Sequence, residues 1–67
     1  TKTAWTVWLQ ADAGTPRAAA QCVADRAWRS FPEPVLEAAP RLGFSALPGG
    51  WRERISAVYI SCVVEKG

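Results

Sequence analysis

Cys22 and Cys62 are the side chains of this sequence best suited to covalent chemistry, and the chain has no histidine to activate either of them. A thiol attacks or ligates as its thiolate, so it needs a nearby base or cation. Arg26 and Arg29, one and two helical turns beyond Cys22, favour that thiolate electrostatically but cannot take its proton. Thr1 is the other conceivable nucleophile, with its own amine as base, but it stands at a chain end that frays readily. General acid–base catalysis at neutral pH relies chiefly on histidine, so the residue inventory points away from an enzyme.

Metal and phosphate sites are equally poorly supplied. Two cysteines about 40 residues apart cannot close a tetrahedral site without further nitrogen or sulfur ligands, and no CxxC pair occurs. The carboxylates Asp12, Asp25, Glu33, Glu37, Glu53 and Glu65 are scattered, without paired-acid or calcium-loop spacing. Gly49-Gly50 follows Pro48 and reads as a turn, not as a glycine-rich loop between a strand and a helix. No cofactor and no metal are expected.

Aromatic and basic residues make the more promising constellation. Trp51-Arg52-Glu53-Arg54 stand together, and Arg26, Trp28 and Arg29 form a second cluster. Tryptophan and arginine dominate protein interface hot spots, and they are also what single-stranded nucleic acid stacks on. Trp28 belongs to an apolar helical stripe and reads as core, whereas Trp51, Arg52 and Arg54 read as surface. A formal charge of +2 is too small to imply nucleic acid by itself. The expectation is therefore a noncatalytic protein-interaction module, such as a regulator, inhibitor or accessory subunit. A nucleic-acid-binding module is the alternative.

The elements that would hold these residues follow from periodicity. Residues 3–12 alternate, with Trp5, Val7, Leu9 and Ala11 on one side and Ala4, Thr6, Trp8 and Gln10 on the other, which predicts a strand. Ala13-Gly14 breaks it, and Thr15-Pro16 supplies an N-cap and a first helical residue. A helix is expected over residues 16–30, its apolar stripe made by Ala20, Val23, Ala24, Ala27, Trp28 and Phe31. Phe31-Pro32-Glu33-Pro34 ends it, because both prolines lack a donor and push their predecessors toward extended backbone.

Residues 35–39 can form one or two helical turns. Residues 41–47 then read as a short strand carrying Leu42, Phe44 and Leu47, and Pro48-Gly49-Gly50 as a hairpin turn. Residues 51–65 are rich in β-branched types, with Val58, Ile60, Cys62 and Val64 alternating against Ala57, Tyr59, Ser61 and Val63, which predicts the longest strand. The expected fold is thus a single small α+β domain over residues 1–67, a β-α-(short α)-β-β module whose three-stranded sheet packs on one main helix.

A sheet covered on one side only would leave Trp8 or Trp5, with Tyr59 and Val63, on an open face too apolar to stand in water. The expected partner is a protein, either a different chain or a second copy docking through that sheet. The candidate partner-binding residues are Trp51, Arg52, Arg54, Trp8, Tyr59, Arg26 and Arg29. With 67 residues, the domain also needs more than its core to be stable. A Cys22–Cys62 bridge is one solution. The pattern favours two separate thiols instead, since Cys22 lies opposite the helical stripe while Cys62 aligns with Val58 and Ile60. An intermolecular link through Cys22 is the third arrangement. No apolar run reaches membrane-spanning length, and no secretory leader pattern is visible, so the default location is cytoplasmic.

Overall fold

The structure, a computed structural model, describes residues 1–66. Among the described residues four α-helices follow one another: α1 over Lys2–Asp12, α2 over Arg17–Ser30, α3 over Glu33–Leu42 and α4 over Gly49–Lys66. Among the described residues there is no strand. The expected α+β module with its three-stranded sheet is therefore corrected to an all-α bundle.

The physical reason lies in residues that satisfy two periods at once. In residues 3–12, Trp5, Trp8 and Leu9 stand at i, i+3 and i+4, and these are the three side chains that α1 buries. Val7, which an alternating strand would put beside Trp5 and Leu9, is exposed instead. Thr1 caps the helix, its hydroxyl accepting the Ala4 N–H at 3.3 Å. At the other end Gly14 adopts a φ of 65°, in the left-handed region, which lets the Thr15 N–H turn back to the Leu9 carbonyl.

The second helix lies close to its expected bounds, with Pro16 as N-cap and Phe31 extended ahead of Pro32. It buries Ala19, Ala20, Val23, Ala24 and Ala27, and these short side chains let neighbouring helices approach on two sides. Helix α1 runs antiparallel along one side: the two helices join where the Thr15 N–H reaches the Leu9 carbonyl, and the start of α1 returns to the far half of α2 where Lys2 meets Asp25. Along the other side runs α4, also antiparallel, since Cys22 joins Cys62 while Phe31 meets Trp51.

The expected helical turns over residues 35–39 are real but longer, because α3 continues through Pro40 to Leu42. A helical proline leaves the carbonyl four residues earlier without its donor. That carbonyl is Leu36 O, and the indole N–H of Trp5 donates to it at 2.7 Å in the buried interior. The strand expected over residues 41–47 is instead the end of α3 followed by a loop. Gly43 closes α3 at a φ of 80°, and Asp12 accepts the Phe44 N–H at 3.0 Å, tying the ends of α1 and α3 together.

Pro48-Gly49-Gly50, expected as a hairpin turn, opens α4. The Pro48 carbonyl accepts the N–H groups of Trp51 and Arg52. Residues 51–65 then form a helix, not a strand, burying Ile55 and Cys62 two turns apart and half-burying Trp51, Val58 and Tyr59. The core runs between the helices, with Trp5 fully enclosed and ringed edge-on by Trp8, Trp28 and Phe31 at centroid distances of 5.0, 6.5 and 6.0 Å.

Candidate interaction surface

The seven candidate partner-binding residues do not converge. Trp8 is 6% exposed and packs beside Phe44 in the core, and Tyr59 is half-buried on the inner side of α4. With no sheet among the described residues, the face expected to carry Trp8, Tyr59 and Val63 does not exist as a surface. Of those three, only Val63 is exposed.

The arginines are divided between two places. Arg26 donates to the Ser61 hydroxyl at 2.9 Å and pairs with Glu65, so it fastens α2 to α4. Arg29 pairs with Asp25 one turn back at 3.4 Å. Asp25 also accepts from the Lys2 ammonium at 3.1 Å. That hydrogen bond and the Arg29 charge beside it hold the Asp25 carboxyl below its ordinary pKa. Trp51 and Arg54 do stand together at the start of α4, the Arg54 guanidinium 4.9 Å from the centre of the Trp51 ring, whereas Arg52 lies round the helix beside an outer groove. Trp51 also packs on Phe31, so one of its faces belongs to the core edge.

Cys22 and Cys62 form a disulfide, which corrects the expectation of two separate thiols. That expectation depended on one buried side for α2, whereas the helix has two covered sides and Cys22 lies on the one that meets α4. No free cysteine remains among the described residues, and no group of histidine, cysteine or carboxylate side chains there is placed to hold a metal ion. Thr1, the other candidate nucleophile, uses its hydroxyl as the α1 cap.

An apolar surface does exist, on the outer side of α4. Ile60, Val63 and Val64 are 60%, 45% and 72% exposed. At 100° per residue Ile60 and Val64 point away from the half-buried Trp51 and the buried Ile55 and Cys62, with Val63 on the same outer half. The helix is thus apolar on both sides through its second half. Next to this stripe, toward the start of α4, an open groove of 470 Å³ is lined by Phe44, Gly49, Ser56, Ala57 and Ile60, with Arg52 and Glu53 beside it.

Sequence reasoning missed Ile60 and Val64 because strand alternation assigned both to the covered side along with Cys62. The signal that separates the two cases is length. An uninterrupted apolar-rich stretch of this size is ordinary for a helix and unusual for a strand, whose common length is about 5–6 residues. A second, more enclosed cleft of 270 Å³ lies on the inner side of α4, between Leu9, Val23, Phe44, Ile55 and Tyr59. It carries no charged side chain, and of its lining Leu9, Val23 and Ile55 are core residues while Gly14 and Ser56 are exposed.

Comparison with protein-family models, with curated proteins and with solved structures gives no match. No helix among the described residues is long and apolar enough to cross a membrane.

Proposed function

We propose that this chain is a noncatalytic protein-interaction module whose docking face is the outer side of α4. The observation that carries this reading is the stripe of Ile60, Val63 and Val64 on a helix whose opposite side already fills the core. A helix apolar all round is normally buried all round, so the outer stripe calls for a cover. The chemistry supports a binding role: both thiols are spent on the disulfide and the chain has no histidine. The disulfide further supports an oxidising compartment as the working environment, in place of the cytoplasm that is the default for a chain without a visible leader.

The test is a pair of titrations. Anilinonaphthalene sulfonate fluorescence is expected to rise with the wild-type protein and to lose most of that rise in Ile60→Glu/Val64→Glu, at unchanged helicity. An equal rise in the variant sinks the reading. In parallel, a labelled single-stranded oligonucleotide is titrated at about 50 mM and about 200 mM salt. Binding at low salt that disappears at high salt, and with Arg52→Ala/Arg54→Ala, would move the function to the Trp51 cluster. The ion pairs of Arg26 and Arg29 leave that cluster smaller than the sequence suggests.

A further inference from the structure

We infer that the occupant of the outer α4 face is α4 of a second copy, laid antiparallel about a two-fold axis through Ile60. The inference rests on the reading of that face as a docking surface and adds the partner and its register. Three features of the stripe select this arrangement.

The first is a gradient of size along the helix. From Ser56 and Ala57 the stripe passes through Ile60 to Val63 and Val64, small at one end and bulky at the other. Residues three and four apart lie on one side of a helix, so these five form a continuous strip. A two-fold at Ile60 sets Val64 of the second copy against Ser56 and its Val63 against Ala57, so bulk falls on lack of bulk at both ends. A parallel pair would stack bulk on bulk and leave a gap between the small residues.

The second feature is where the empty volume sits. The 470 Å³ groove lies at the small end, over Ser56, Ala57 and Ile60 with Phe44 as its wall. That is where the antiparallel register delivers the valines of the second copy, and the groove gives them depth that a bare helix surface lacks. The third feature is charge. Arg52, Glu53 and Arg54 leave the start of α4 net positive, while Glu65 near its end is held by Arg26, so the antiparallel pair keeps the two positive starts at opposite ends and opposes the two helix dipoles. A parallel pair would bring the arginines of both copies side by side.

The strip is short, so association belongs to the weak class that sediments as a mixture across about 10 µM to 1 mM. Sedimentation velocity over that range is expected to show a concentration-dependent monomer–dimer equilibrium. Ile60→Glu and Val64→Glu are each expected to weaken it by about tenfold or more. Leu42→Glu, which removes an exposed apolar side chain of α3, is expected to leave it unchanged. Dimerisation that persists in Ile60→Glu overturns the inference. Register is read from single added cysteines. Under air oxidation Ile60→Cys is expected to give a covalent dimer and Val64→Cys none, because the axis separates the two copies of residue 64 by on the order of 12 Å along the helix. A Val64→Cys dimer overturns the antiparallel register. A wild-type monomer at every concentration, with dye binding that still needs Ile60, overturns the second copy as occupant and leaves the docking face standing. A monomer without such dye binding overturns both.

Discussion

The pairing of Trp5 with Pro40 is the most specific residue-scale feature of this fold. Proline at position 40 cannot donate to Leu36 O, and a buried carbonyl without a donor costs about 1–3 kcal/mol. The Trp5 indole supplies that donor from another helix at 2.7 Å. Trp5→Phe is therefore expected to destabilise the fold through both lost ring volume and the orphaned carbonyl. In a Pro40→Ala background the backbone N–H gained at position 40 can take over, so the same substitution is expected to cost about 1 kcal/mol less. Urea unfolding of the four proteins in the double-mutant cycle reads this directly, and additivity of the two changes would refute it. Trp8 provides the contrast, since its buried indole nitrogen has no hydrogen-bond partner among the described residues. Trp8→Phe is accordingly expected to cost less than Trp5→Phe. Tryptophan content announces a dense core, but no spacing in the sequence distinguishes the satisfied indole from the unsatisfied one.

Element by element, α2 is the centre of the molecule and α4 is the part held on from one side. Burial of Val23, Ala27, Ile55 and Cys62 joins these two helices, with Arg26 bridging to Ser61 and Glu65 and the disulfide closing the contact covalently. A cross-link spanning 40 residues stabilises by roughly 4 kcal/mol in the loop-entropy picture. For a domain of this size that is a large share of the total stability. Cys22→Ala/Cys62→Ala, or reduction of the wild-type protein, is expected to lower the unfolding midpoint sharply. Amide exchange is expected to accelerate first along α4, because α1, α2 and α3 retain the Trp5 cluster and the Asp12 tie between them. Uniform acceleration across all four helices would contradict that order. The α2 stripe was legible because Ala20, Val23, Ala24 and Ala27 fit only a helical period. Residues 3–12 and 51–65 were not, because Trp5 with Leu9, and Val58 with Cys62, are four apart and compatible with either alternation or a helical turn.

For the whole molecule, the absence of histidine removes the side chain whose ordinary pKa lies near neutrality, so folding stability should vary little across that range. Acid is different, because Lys2 and Arg29 hold the Asp25 carboxyl low in the folded state. The unfolded chain takes up that proton more readily than the folded one, so the contribution of Asp25 is complete above the ordinary carboxylate range. It is lost as pH falls below about 4 toward the lowered folded value. Asp25→Asn is expected to flatten this part of the acid limb, read as the urea midpoint against pH. A variant with the same acid slope as wild type would remove Asp25 as its cause. The central helix, the breaks at Gly14 and Pro32, the apolar content that demands a core, and the lack of any histidine-based chemistry can all be read from the chain. These depend on local backbone preferences and on residue inventory, which need no neighbours to take effect. The tertiary structure alone decided that the residues on either side are helices, that Cys22 meets Cys62, and that Trp8 is covered while Ile60 and Val64 are not. Those outcomes turn on which side of an apolar segment finds a partner, a competition settled by packing between residues distant in the chain.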